Sequence, residues 1–255
     1  LFGDTEFGVR IGGGLLMLGA SGLMYIFGRF WYGKKAALIA ALLLQVLPVY
    51  FGTGLIATMD SALVFFWLAG LVGVTVALRE DRAWGWYLAG LGLGGAMLSK
   101  YTGVFLGVGT LLVVIGSKPW RKHLRTLHPY AAALFALVLF SPVLIWNWQN
   151  DWVSFRFQFT DRFADQSMNF GSVALFLGQQ LAVATPVVLI GLVWLYLRLL
   201  KSPRRLLTPH WLIAVGFSLP LLLVMSYKSL RYNIHLNWTL PLYLGILPAL
   251  THISL

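Results

Sequence analysis

Long apolar runs constrain this chain before anything else does. Ile11–Gly28, Ala36–Ile56, Ser61–Leu78 and Val173–Leu200 each continue with almost no charge. An uncharged apolar stretch of about 18 residues or more is long enough to cross a bilayer as a helix. Composition agrees, because only 11% of the 255 residues are charged and 59% are hydrophobic. A soluble domain carries roughly 25% charged residues, so this chain lacks the polar surface to stand in water. The reading is all-α: a polytopic transmembrane helical bundle with an aromatic extracytoplasmic loop.

Spans fall at about 11–28, 36–56, 61–78, 86–98, 102–116, 130–147, 173–200, 211–226 and 238–255, about nine in this chain. The loops between them then alternate in charge. One set holds Arg29, Lys34, Lys35, Arg79, Arg82, Lys118, Arg121, Lys122, Arg125, Lys201, Arg204 and Arg205. The other holds Arg10, Lys100, Arg156, Arg162, Lys228 and Arg231, together with most of the acids: Asp4, Glu6, Asp60, Asp151, Asp161 and Asp165. The positive-inside rule makes the first set cytoplasmic. The net charge of +11 is thereby a topology signal, and nucleic acid is not needed to explain it.

One span requires a decision. Trp86–Gly116 as a single helix would carry Lys100 in mid-membrane and would send Lys118–Arg125 to the outer side. A break at Ser99–Lys100–Tyr101 restores the charge rule. Irregular backbone and charge at membrane depth are tolerated where protein or water surrounds them, so the break is expected to face a cavity.

The chain has no cysteine, which removes disulfides and thiolate metal sites. It begins with Leu1, and no basic segment or signal peptide precedes the first span. The natural start is therefore expected upstream. With neither a linker nor a repeat in view, residues 1–255 are expected to form a single transmembrane domain.

Most loops are short, with Trp148–Ser172 the exception. It follows on from "SPVLIWNWQNDWVSFRFQF", Ser141 to Phe159, where plain apolar chain turns aromatic and polar. Phe155, Phe157 and Phe159 alternate with Ser154, Arg156 and Gln158. That period of two suits a segment at the interface, rings in the headgroups and polar side toward the protein. The stretch "AGLGLGGA" reads as close helix packing through small residues. It resembles a phosphate loop only superficially, since no strand precedes it.

Candidate chemistry lies on the outer side. Asp60 either caps a helix starting at Ser61 or is a fixed carboxylate at a cavity mouth, and the two readings are compatible. Lys100, beside backbone N–H groups freed by the break, suits an anion such as phosphate; the alternative is snorkelling to the headgroups. Arg162, in "FTDRF", is a third phosphate ligand or the partner of Asp161 or Asp165. Arg10 anchors a helix start. Lys228 and Arg231 form a short outer basic loop ending in Trp238, an interfacial anchor, and are further candidates for binding phosphate. His123, His128, His210, His235 and His252 form no HExxH or close pair, so no cofactor is identified and a divalent metal has no support in the sequence. Nor is a nucleophilic triad indicated.

Taken in order, "FGDTEFGVRI", "TMDSALVFFW", "GLGGAMLSKYTG", the aromatic stretch ending in "RF", and "NIHLNWTLPLYLG" resemble successive blocks of bacterial family-39-type glycosyltransferases. These belong to the integral-membrane C superfamily, with the protein O-mannosyltransferases and the lipid A aminoarabinose transferase. The resemblance covers essentially the whole chain. It implies a multi-pass protein of the bacterial inner membrane whose active site faces the extracytoplasmic side. It also implies transfer of a sugar from a polyprenyl-phosphate-linked donor to a lipid, glycan or protein acceptor. Asp60 matches the family's second acidic residue, Lys100 its "SK" lysine, and Arg162–Phe163 its "RF". The family's first outer loop, with an Asp-Glu pair and the catalytic base, should precede "FGDTEFGVR" and is absent from this sequence.

Residue chemistry is compatible with that implication. Glycosyl transfer passes through an oxocarbenium-like state that a carboxylate such as Asp60 stabilises. The departing phosphate gains charge that Lys100 and Arg162 would favour. Trp146, Trp148, Trp152 and Phe155 are then expected to contact lipid or sugar. The competing class is a transporter or lipid flippase, which should show matched interrupted helices in two halves. Only one clear break is legible, at Ser99–Tyr101, and this favours the enzyme.

Overall fold

The computed structural model describes residues 5–56, 58–159, 167–202 and 208–253. Among these residues the ordered elements are helical throughout: α1 (Glu6–Tyr32), α2 (Lys34–Val46), α3 (Pro48–Leu55), α4 (Met59–Arg79), α5 (Trp84–Ser99), α6 (Val104–Gly116), α7 (His128–Gln149), α8 (Val153–Phe159), α9 (Phe170–Lys201), α10 (Pro209–Ser229), α11 (Leu240–Leu244) and α12 (Leu247–Ile253). Short 3₁₀ segments cover Tyr101–Gly103, Lys118–Arg125 and Leu236–Thr239. By length and apolarity α1, α4, α7, α9 and α10 are each able to cross a membrane. Two bent pairs raise the number to 7: α2 with α3, and Tyr101–Gly116 with Lys118–Arg125. This is a multi-pass helical membrane protein.

α4 is the centre. Every residue from Trp67 to Leu78 is buried, so this apolar helix faces protein on all sides. It can be surrounded because its contact with α5 lacks Cβ atoms. A methyl added at Gly85 would stand 2.5 Å from the backbone nitrogen of Ala77, and one at Gly73 or Gly92 would collide with the backbone of Ala89 or Gly70. Gly90 meets Ala132 of α7 in the same way, at 2.5 Å from its carbonyl oxygen. The glycines of "AGLGLGGA" serve packing, as small residues do between membrane helices.

Four features depart from the sequence reading. The 36–56 run is bent by 61° between α2 and α3, because Pro48 pushes Leu47 to an extended conformation (ψ 126°). The 238–255 run is not one helix. It breaks into a 3₁₀ turn, α11 and α12, with Pro241 and Pro248 each opening a short helix, where a missing N–H costs least. Within α9, Thr185 stands at φ 62°, ψ 155°, immediately before Pro186. The fourth departure is the aromatic segment, which is helical. Asp151 and Trp152 both take left-handed backbone (φ 52° and 57°), and the Trp152 N–H donates to the Asn147 carbonyl at 2.7 Å. This turn closes α7 and starts α8, so Phe155 and Phe157 lie on different sides of a helix instead of alternating along an extended strand.

The basic side has its own order. Trp31 donates from Nε1 to Thr75 Oγ1 at 2.8 Å and meets Trp120 edge-on, with centroids 5.9 Å apart. Lys122 pairs with Asp81 at 2.6 Å, both side chains exposed. That hydrogen bond holds the Asp81 carboxyl below the usual carboxylate range, and burial holds the His123 imidazole below the ordinary histidine range.

Candidate active site

The site forms where α5 stops. Ser99 turns its hydroxyl back to Gly95 O, and Lys100 leaves the helix in extended backbone (φ −161°, ψ 141°) while its N–H still bonds Ala96 O at 2.9 Å. The chain doubles over the end of α5 at Gly103, where any Cβ would run into the backbone of Ala96. The break expected at Ser99–Tyr101 is therefore present.

Lys100 does not snorkel outward. Its Nζ donates to Asp60 Oδ1 at 2.8 Å, with side-chain exposures of 17% for Lys100 and 4% for Asp60. Asn237, from the 3₁₀ turn before α11, donates Nδ2 to the other oxygen, Oδ2, at 2.7 Å. Three distant segments thus meet on one carboxylate. Asp60 is not a helix cap as expected. α4 begins at Met59 with Thr58 at the cap position, which makes no side-chain cap bond. Asp60 lies inside the first turn, where the helix dipole complements its negative charge, and both its oxygens are taken by donors from elsewhere.

Beside this cluster opens a cavity of about 280 Å³. Lys100, Tyr101, Thr102, Gln158, Lys228 and Trp238 line it, with Val104, Phe105, Val224 and Met225 supplying an apolar wall. The Thr102 hydroxyl is buried and has no hydrogen-bond partner. An ammonium has three protons, and only one of those on Lys100 is directed to Asp60. The cavity therefore offers N–H donors, a hydroxyl and a second cation beside an apolar wall, which suits an anionic group on a lipid stem.

The aromatic segment is tied to this break. Tyr101 stacks on Phe155 with centroids 5.1 Å apart and planes 15° from parallel. Its hydroxyl meets Ser154 Oγ at 2.7 Å, and Ser154 donates to Asn147 Oδ1 at 2.7 Å. Trp152 leans on Phe155 at 5.8 Å.

The structure thus brings Asp60, Lys100, Lys228 and Phe155 to one region. Trp146, Trp148 and Trp152 are exposed, and neither they nor Arg231 line the cavity. Arg162 lies outside the described residues. Among the described residues no three His, Cys, Asp or Glu side chains gather as a metal site would need. Sequence reasoning missed Asn237, Thr102, Gln158 and the Tyr101–Ser154–Asn147 chain. The available signal was polar side chains at the ends of apolar runs, where burial demands a partner.

The chain is similar to known proteins in both sequence and fold. The sequence profile of the dolichyl-phosphate-mannose-protein mannosyltransferases matches residues 1–146. The chain is 29% identical over 153 residues to the undecaprenyl phosphate-alpha-4-amino-4-deoxy-L-arabinose arabinosyl transferase of Erwinia tasmaniensis, covering 54% of this chain and 26% of that protein. It is 26% identical over 190 residues to the lipid A galacturonosyltransferase RgtD of Rhizobium johnstonii, covering 73% of this chain and 38% of that one. In fold it matches the crystal structure of ArnT from Cupriavidus metallidurans bound to undecaprenyl phosphate, with a TM-score of 0.74 at 18% identity over 99% of this chain and 47% of ArnT. The chain spans less than half the length of each. The match of its sequence profile over residues 1–146, more than half of the chain, places it in the dolichyl-phosphate-mannose-protein mannosyltransferase family.

Proposed function

We propose that this chain contributes the donor-phosphate site of a glycosyltransferase that moves a sugar from a polyprenyl-phosphate carrier to an acceptor on the extracytoplasmic face. The observation that carries this reading is Lys100, a cation at a helix break, held at 2.8 Å by a buried carboxylate and opening on a cavity shared with Lys228. In this reading residues 1–255 are one transmembrane domain crossing nine times. The α2–α3 pair and the α11–α12 pair each count as one crossing, and α5 and α6 are short crossings that meet at Lys100.

The carrier phosphate sits in the cavity and accepts from the other protons of Lys100, the Thr102 hydroxyl and Lys228, and Arg162 and Arg231 remain sequence candidates for the same charge. As the sugar leaves, negative charge builds on the phosphate, and donors already in place stabilise it without reorganising. Asp60 fixes Lys100 in this position. Each Asp60 oxygen accepts one hydrogen bond and keeps a further lone pair, so Asp60 can also steady the developing positive charge or take the acceptor proton. Trp146, Trp148 and Trp152 hold the aromatic segment at the interface, where the acceptor, a lipid, glycan or protein, arrives.

Helix breaks do not decide between enzyme and transporter, because Leu47 and Thr185 add two more to the one at Lys100. The relatives do favour one side, since those matched are transferases by name.

The test is sugar transfer from a polyprenyl-phosphate donor by the full-length protein in vesicles. Lys100→Gln should lower turnover by about 10²-fold or more, and normal turnover would sink the reading. Reporters fused near Arg121 and near residue 165 should fall on opposite sides of the membrane. A common side would remove the nine-crossing arrangement.

A further inference from the structure

A second cavity lies at the other end of α5, and the transfer reaction makes no use of it. It is a cleft of about 220 Å³ between α5, α6 and α7, lined by Leu111, Val114, Leu124, Ala132 and Ala133 among others, and almost wholly apolar. Its one aliphatic hydroxyl, that of Thr110, donates back to Leu106 O at 2.8 Å, so the interior makes no demand for water.

What covers the cleft is written in the segment above it. Lys118–Arg125 is a 3₁₀ helix set at 115° to the preceding one. Three residues make one turn of such a helix, so side chains at i and i+3 eclipse. One row is Trp120 and His123, both buried against the bundle. A second is Lys122 and Arg125, and there Lys122 is paired with Asp81. The third is Lys118, Arg121 and Leu124. Leu124 lines the cleft, and Arg121 lies one 3₁₀ turn before it in the same row. There it is pinned, because its Nε donates to the Ile115 carbonyl at the end of α6 at 2.7 Å. The terminal nitrogens of the guanidinium are left for another acceptor. Tyr130, also a lining residue, donates its hydroxyl to Leu124 O at 2.8 Å and braces the same segment. Among the described residues no carboxylate lies within ion-pair distance of Lys118, Arg121 or Arg125; the segment's ion pairs, from Lys122 and His123, both go to Asp81.

We propose that this cleft is a binding site for an anionic phospholipid of the cytoplasmic leaflet, one acyl chain between α5, α6 and α7 and the phosphate on Arg121. A dry apolar slot accepts the chain, and a fixed guanidinium at headgroup depth accepts the phosphate in a forked geometry that an ammonium cannot match. The polybasic rim adds attraction to anionic lipid. The site is separate from the Lys100 cavity, so its failure would leave the transfer reading intact.

The experiment is native mass spectrometry of the full-length protein released from detergent with dioleoyl phosphatidylglycerol or dioleoyl phosphatidylcholine. These share their chains and differ in headgroup charge. Phosphatidylglycerol should be retained preferentially, and Arg121→Gln should weaken its retention about fivefold, the effect of one basic group near an anionic headgroup. Thr110→Trp, which fills the slot, should reduce retention of both lipids. Neither change should alter binding of undecaprenyl phosphate. Equal retention of the two lipids, or an Arg121→Gln variant that keeps the preference, overturns the proposal. So does one-for-one displacement of phosphatidylglycerol by undecaprenyl phosphate, which would give the slot to the carrier tail. Should Thr110→Trp fail to fold, the surface change at Arg121 decides alone.

Discussion

The two ends of the α4–α5 hairpin each carry a lysine–aspartate pair, and they differ in almost everything except distance. Lys122–Asp81 is 2.6 Å long with side-chain exposures of 58% and 62%. Lys100–Asp60 is 2.8 Å long with 17% and 4%. An exposed pair gains little, because water and salt screen it and two flexible side chains must be held. A buried pair costs desolvation of both charges, which their attraction only partly offsets, so removing one partner is far worse than removing both. The hairpin keeps a costly pair at the end where a cavity opens. That cost is intelligible if the charges are needed for something besides folding.

The largest expected effect tests this directly. Asp60→Ala strands the Lys100 ammonium and should cost about 3–5 kcal/mol, read as a lowered melting temperature in detergent. Asp60→Asn should lose transfer activity by about 10²-fold or more. The double change Asp60→Leu, Lys100→Met replaces the pair with apolar groups. It should melt near wild type and stay inactive. A double variant as unstable as Asp60→Ala would mean that packing at this site, and not an uncompensated charge, sets the loss.

Next comes Asn237→Ala, which removes a hydrogen bond to a buried carboxylate and should cost about 1.5–3 kcal/mol. It should also weaken donor binding, because Asp60 is then free to rotate and carry Lys100 with it. A melt unchanged from wild type would show that Asp60 is held by Lys100 alone. Tyr101→Phe keeps the stack on Phe155 and deletes the hydroxyl that reaches Ser154. Its expected cost is about 1 kcal/mol, and the same loss in a Ser154→Ala background would show that the two hydroxyls do not act together.

The smallest effects belong to the exposed pair. Asp81→Asn should leave both melting and activity at wild-type values near neutral pH. The Asp81 carboxyl is lowered mainly by its hydrogen bond to Lys122. Any stability it contributes is therefore present above the ordinary carboxylate range and disappears as pH falls through its own lower value. Burial lowers His123, so its contribution is likewise present above the usual histidine range and fades on acidification. A melting temperature that falls steeply between pH 8 and 7 would contradict both.

Much of the architecture was legible because membrane helices announce themselves by length and charge parity. The break at Lys100 is the clearest case, as an undivided Trp86–Gly116 would carry Lys100 in mid-membrane and put Lys118–Arg125 on the other side. Aspects that depend on distant partners were not legible. Asp60 and Asn237 are separated by 177 positions, and nothing local to either tells it of the other. A cap was a sound expectation for an aspartate before an apolar run, and tertiary donors displaced it. The turn at Asp151 and Trp152 left no signal because left-handed backbone normally advertises itself with glycine, and a tryptophan there reads as ordinary chain. The same blindness applies to Thr185 at φ 62°. Residue pattern alone read 153–159 as an alternation; the turn before it decides that it is a helix.

The glycine seam between α4 and α5 fixes where Lys100 stands relative to the basic end of the hairpin. Backbones that touch through Gly73, Gly85 and Gly92 cannot slide, so the two helices behave as one stiff post with Lys100 fixed at its tip. α5 has 16 residues, a rise of about 24 Å, whereas the hydrocarbon layer is roughly 30 Å thick. α5 on its own, footed at the basic side, therefore ends several ångströms short of the opposite surface. On the proposed function, a carrier's phosphate does not wait in the headgroup plane but is drawn down and sideways out of the leaflet. Membrane thickness then becomes a variable of turnover, and bilayers of shorter lipids should bring the surface to the post.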